Sequence, residues 1–218
     1  MRDAPAIKRI ARGARPALEP ATLSVRFLSR PRPSFQTGWA PPRELSLRHA
    51  EILLLLTLHP HGLTAEQLTF HLYGDEGKIV STRAEICRLR RMLGAHLAAR
   101  PYRLRGPVET DVEQIERHAA AGEVASVLRA YPGELLPESE NPRVRQMRRE
   151  LHWTVQRAAI DAGVDELWAW LSSSVGREDL DGLRAFLDRA EARDLRRGLA
   201  AARLRSLEGL WDLACSGA

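Results

Sequence analysis

The sequence predicts an α-rich α+β protein, with short strands and capped helices in the first half and helices alone in the second. Three observations lead there. Leu23, Val25 and Phe27 alternate with polar neighbours, the period of a half-buried strand. Residues 46–94 carry cap residues ahead of helical stretches and Gly or Pro behind them. From Asp111 onward no strand period recurs, and Gly122, Pro132-Gly133, Pro137, Gly163 and Gly176 punctuate helical stretches.

Composition narrows the class. The 218 residues are 44% hydrophobic, enough for one large domain or two small ones with their own cores. The formal net charge is +5, and Lys8 and Lys78 are the only lysines, so the positive charge is nearly all Arg. Arg offers a planar fork suited to phosphate and guanine, while a GC-rich genome also raises the Arg share by codon usage. Cys87 and Cys215 are too few and too far apart for a disulfide framework or a zinc site, and a reducing cytoplasm is expected. The longest apolar run, Ile52 to Leu56, is too short to span a bilayer, so no membrane partner is expected. G-x-x-x-x-G-K-[ST], G-x-S-x-G, G-x-G-x-x-G and H-E-x-x-H are all missing, and Glu138 and Glu140 are loop acids, not a catalytic pair. The expectation is a non-enzyme with no metal and no cofactor.

The elements follow in order. Residues 1–20, with Arg2, Lys8, Arg9, Arg12 and Arg15 among Ala and Pro, read either as a flexible basic arm or as a mis-assigned start. A strand over Thr22–Phe27 leads into a Pro-rich turn region, where Phe35 and Trp39 are expected to pack. Ser46 can cap a helix from Leu47 to about His59, ended by Pro60-His61-Gly62. Its Ile52–Leu56 run covers nearly every side, so other elements must surround it. Thr64 and Gln67 fit a capping box for a second helix through about Leu72. Thr82 and Glu85 fit another for a third helix, Thr82–Leu93, closed by Gly94. Leu97–Arg105 reads as a hairpin around Arg100-Pro101. Later helices are expected at Asp111–Ala121, Glu123–Tyr131, Arg143–Asp161, Asp165–Ser172, Glu178–Ala190 and Asp194–Ala214. Asn141-Pro142 gives the third of these a strong start signal. Domains are therefore expected at 21–107 and 108–218.

The third helix carries the chemistry. On a helical wheel Ile86, Leu89 and Leu93 share one side, and Arg83, Ala84, Cys87, Arg88 and Arg91 the other, with Arg90 at the border. Arg interspersed with small residues suits a helix lying in a major groove, because the backbone can approach the base edges closely. Arg-rich exposed faces are also common as merely solvated ones. The neighbours favour the first reading. A capped helix, a Gly-containing turn, a second capped helix, the basic helix and a hairpin bearing Arg100, Arg103 and Arg105 make one consistent module.

Leu45–Leu104 resembles the OmpR/PhoB-type winged helix-turn-helix, also found in the antibiotic regulatory proteins of actinobacteria. The resemblance rests on Leu45–Leu56, on Gly62-Leu63-Thr64-Ala65-Glu66-Gln67-Leu68, on Arg88-Leu89-Arg90-Arg91-Met92-Leu93-Gly94 and on Tyr102-Arg103-Leu104. The region from Asp111, with Tyr131-Pro132-Gly133-Glu134-Leu135-Leu136, is similar to the C-terminal part of GAF-containing actinobacterial regulators. The resemblance implies a winged helix-turn-helix followed by an all-helical bundle or TPR-like stack. It implies a sequence-specific duplex-DNA-binding transcriptional regulator with recognition-helix roles for Arg83, Ala84, Cys87, Arg88 and Arg91 and a wing role for Arg103. Thr64, Thr82, Arg90 and Arg100 complete the expected contacts, with Thr64, Arg90, Arg100 and Arg103 on phosphates. The short wing loop departs from deep minor-groove insertion. A winged-helix adaptor that binds protein and not DNA is the alternative. RNA polymerase or a regulatory protein bound through the helical half, and a homodimer, stay open as partners. Cys87 is either a small filler on the groove face or an oxidation-sensitive thiol. At least one of Trp168 and Trp170 must point away from its helix's buried face.

Overall fold

The computed structural model describes residues 21–28 and 32–216, with side chains described to residue 209. The expected basic arm, 1–20, lies outside the described residues. The protein is helix-rich with a small sheet.

Strand β1 (Leu23–Arg26) pairs antiparallel with β2 (Ser34–Thr37), which pairs antiparallel with β3 (Arg43–Glu44). Leu23, Val25 and Phe35 point into the core, as the alternation requires. Trp39 is fully exposed at the turn after β2, contrary to the expected packing role.

Helix α1 (Leu47–Leu58) starts at Ser46, whose hydroxyl accepts from the His49 N–H at 3.2 Å. Residues Ile52 through Leu56 are all buried, so packing surrounds α1 as its all-round apolar sequence demands. Helix α2 (Ala65–Tyr73) opens with the expected reciprocal box: Gln67 N–H donates to Thr64 Oγ1, and Thr64 N–H donates to Gln67 Oε1. Helix α3 (Ile79–Leu93) begins three residues before the expected start, capped at Lys78. Strands β4 (Leu97–Ala99) and β5 (Tyr102–Leu104) form the expected hairpin, with Arg100-Pro101 as a cis peptide at its turn. Leu63 and Tyr102 exchange two backbone hydrogen bonds at 2.9 Å, a bridge that fixes the hairpin to the segment between α1 and α2.

Strand β6 (Val108–Thr110) returns to the first sheet and pairs parallel with β1, giving the order β3-β2-β1-β6. A parallel pair needs a long crossover, and here α1, α2, α3 and the hairpin supply it. The expected division at 107/108 thus falls where the chain re-enters the sheet, and Pro107 O already accepts from Leu23 N–H at 2.9 Å. Asp111 follows at once. Its carboxylate accepts from Phe27 N–H at 3.0 Å and Leu28 N–H at 2.9 Å, tying the second half to the end of β1.

Among the described residues six further α-helices follow: α4 (Asp111–Ala120), α5 (Val124–Ala130), α6 (Pro142–Asp161), α7 (Val164–Ser172), α8 (Leu180–Arg189) and α9 (Arg196–Ser216). Each lies within a few residues of its expected span. Asn141 caps α6 through Arg143 and Val144 N–H, with Pro142 in the first turn. Trp170 is buried, and its Nε1–H donates to Asp179 Oδ2 at 2.7 Å. Trp168 faces the other way, half-buried against Phe186, and Trp153 on α6 is 64% exposed. Among the described residues no helix is long and apolar enough to cross a membrane.

The segment 135–141 fastens the two halves together. Ser139 Oγ donates to the buried Glu51 of α1 at 2.5 Å, and Asn141 Nδ2 donates to His71 O of α2 at 2.7 Å. Arg148 of α6 donates to the carbonyls of Leu135, Leu136 and Ser139, which holds that segment in shape.

Candidate nucleic-acid interface

Helix α3 sits on the core by Thr82, Ile86, Leu89 and Leu93, all buried. Those positions fall within about 60° of one another on an ideal helix, so the remaining sector faces outward. Arg83, Ala84, Cys87, Arg88, Arg90 and Arg91 are all exposed there. The centre of the sector carries Ala84, Cys87 and Arg91, with Val80 exposed in the first turn.

Thr82 does not join this surface. It is fully buried, and its Oγ1 lies 2.8 Å from Thr69 Oγ1 on α2. The threonine expected as a cap and a DNA contact is instead a polar rivet between two helices. With the helix starting at Ile79, its backbone N–H is spent on Lys78 O, and the expected Thr82–Glu85 box does not form. The sequence pattern S/T-x-x-E cannot distinguish a cap from an interior turn when the true start lacks a capping side chain.

The hairpin stands beside α3. Arg83, Ile86, Cys87, Arg90 and Arg91 face Ala99, Arg100 and Tyr102 across a groove of about 570 Å³. Arg100 is exposed at its edge, and Arg103 and Arg105 are exposed elsewhere on the hairpin and just after it. Gly62 makes the close approach there: its φ is +91°, and a Cβ on it would lie 2.9 Å from both Pro101 Cγ and Tyr102 O. Thr64 is exposed at the head of α2, but its hydroxyl is engaged in the capping box. Glu66, in the same first turn, is held below the usual carboxylate range by its own backbone N–H, then by the Thr64 hydroxyl, and lastly by the Arg83 guanidinium.

The guanidiniums differ in their partners. Arg83 lies 3.8 Å from Glu66, a loose exposed pair. Arg88 Nη1 is 2.5 Å from Glu85 Oε1. The other oxygen of Glu85 lies 3.1 Å from Nε2 of the buried His49 on α1, without the alignment of a hydrogen bond. Among the described residues no carboxylate pairs with Arg90, Arg91, Arg100 or Arg103. Sequence reasoning found the exposed arginines from the wheel. It missed Glu85 as a partner, although an acid three residues before an Arg on a helix is a readable signal.

No group of His, Cys, Asp and Glu among the described residues is arranged to hold a metal ion. The surface is therefore a cationic helix face beside a cationic hairpin.

The chain matches no known protein family. It is 42% identical over 147 residues, 66% of its length, to the "Uncharacterized 47.3 kDa protein in thcA 5′region" of Rhodococcus erythropolis. That stretch is 33% of the relative, so the chain spans about a third of the length of the curated protein it matches.

Proposed function

We propose that the protein is a sequence-specific duplex-DNA-binding transcriptional regulator, built as a winged helix-turn-helix in which α3 enters the major groove and the β4–β5 hairpin is a short basic wing. The observation that carries the reading is the outward sector of α3. It offers Arg83, Arg88, Arg90 and Arg91 around the small Ala84 and Cys87, with Glu85 at the edge paired to Arg88, beside Arg100 and Arg103 on the hairpin. A helix with its side chains is about 10–12 Å across, the width of the major groove of B-DNA. Small residues at the centre allow close approach, and Val80 at the leading turn can meet a thymine methyl. Arg100 and Arg103 then reach the flanking phosphates, which orient the protein without reading sequence.

Retention of random duplex at about 50 mM salt, with steep release as salt rises, tests the electrostatic half of the reading. Enrichment of one sequence from a random duplex pool tests the specific half, and a paired half-site would show a dimer. A protein that retains no duplex at low salt would turn the same face over to a protein partner, because fold does not fix function.

A further inference from the structure

We infer that Arg88 alone among the α3 arginines is braced to read a guanine, with Glu85 as its positioning residue, while Arg90 and Arg91 serve phosphates. The inference rests on the duplex-DNA reading of this face and goes beyond it by dividing the labour among its cations.

Reading guanine requires a guanidinium fixed in a plane so that two N–H groups meet O6 and N7 together. A long side chain loses rotamer freedom when it is fixed, and pre-ordering lowers that cost on binding. Holding a phosphate requires only uncompensated charge, which releases counterions wherever the side chain reaches the backbone.

The structure separates the arginines on both counts. Arg88 is anchored at 2.5 Å by Glu85 one helical turn away. Glu85 is only partly exposed, and its second oxygen lies 3.1 Å from Nε2 of the buried His49 on α1. The chain of contacts therefore runs from α1 past Glu85 to an exposed guanidinium. Arg88 Nη1 is engaged, while the side chain stays largely exposed, with Nη2 and Nε unpaired among the described residues. As a pair with Glu85 it carries no net charge, so it gains little from a phosphate. Arg90 and Arg91 have the opposite character: exposed, without a carboxylate partner among the described residues, and free to swing. Arg88 and Arg91 stand about 60° apart around the helix, so one can meet base edges while the other meets the backbone.

The test uses the whole chain and the duplex that it enriches from a random pool. Affinity is measured on that duplex, on each single-base-pair substitution of it, and across a salt series, for wild type, R88A, E85Q and R91A. R88A is expected to abolish discrimination at one G·C pair, with a loss of about tenfold or more there; because it also uncovers the Glu85 carboxylate, the salt slope is read in the charge-neutral double variant E85Q/R88A, where it should match wild type. E85Q is expected to weaken discrimination at that same pair. It also uncovers a positive charge, so its binding to random duplex should rise and its salt slope should steepen. The double variant should discriminate no worse than R88A alone. R91A should weaken every duplex alike and lower the salt slope by about one. A purely structural role for Glu85 would shift the thermal midpoint and move no base preference. The inference is overturned if E85Q leaves the preference at the Arg88 position intact. It also falls if E85Q alters a different base pair, or if the double variant flattens the salt slope as R91A does. Those outcomes leave the DNA-binding reading standing; a wild-type chain that retains no duplex removes both.

Discussion

Replacing Asp111 with Asn should loosen the joint between the sheet and the helical half, at a cost that can be worked from its contacts. The Asp111 carboxylate accepts from the N–H groups of Phe27, Leu28 and Val112 at 3.0, 2.9 and 3.1 Å. Phe27 and Leu28 are each 1% exposed, so neither N–H has water to fall back on. An amide keeps one acceptor and turns a donor toward the other N–H. One buried N–H left unsatisfied costs about 1–3 kcal/mol, and that is the expected loss for D111N in urea unfolding followed by circular dichroism. The pH dependence has a definite sign. Burial pushes the Asp111 carboxyl above its ordinary value, outweighing the hydrogen bonds from Leu28, Phe27 and Val112 and the nearby Arg26 that pull it down. Below the ordinary carboxylate value both states hold the proton. As pH rises, the unfolded chain releases it first, so the native state loses stability until its own carboxyl ionises. The gap between wild type and D111N should therefore be widest in acid and narrow toward neutral pH. A D111N protein within about 0.5 kcal/mol of wild type at every pH would refute the account of a buried, backbone-capping carboxylate.

Other outcomes follow from the same coordinates. T82V should lower stability by about 1 kcal/mol through the lost Thr69 hydrogen bond and leave duplex affinity unchanged, measured by unfolding and by gel retardation. S139A should cost about 1–3 kcal/mol, because Glu51 stays buried with only Arg48, 2.7 Å away, to face it; denaturant titration reads the loss. G62A forces a side chain into a left-handed backbone against Pro101 and Tyr102, and should cost about 2 kcal/mol or more while weakening DNA binding by displacing the hairpin. R103A should weaken binding to all duplexes alike and reduce the salt slope by about one in fluorescence anisotropy.

Much of the fold was legible because local rules decided it. Ser46, Thr64 and Asn141 cap helices that start where those side chains place them. The all-round apolar run Ile52–Leu56 implied a helix enclosed on several sides, and the exposed arginines of α3 followed from a period of 3.6 residues. Thr82 failed because α3 starts at a residue with no capping side chain, so a buried interior threonine mimicked a cap. The pairing of the strand just after residue 107 was not legible for another reason. Strand β6 is three residues long, and nothing local shows that Val108–Thr110 lie along Leu23–Val25.

The sequence alone determined which segments are helices, which face of each is apolar, and that the third helix turns guanidiniums outward, because those properties depend on residues within a turn or two of one another. Only the tertiary structure decided which arginine is held and which are loose, and where the halves are joined. Those outcomes depend on partners far apart in the chain: His49 with Glu85, Glu51 with Ser139, and Asp111 with Phe27 and Leu28. Burial raises the importance of such pairings by removing the water that would otherwise satisfy each polar group alone.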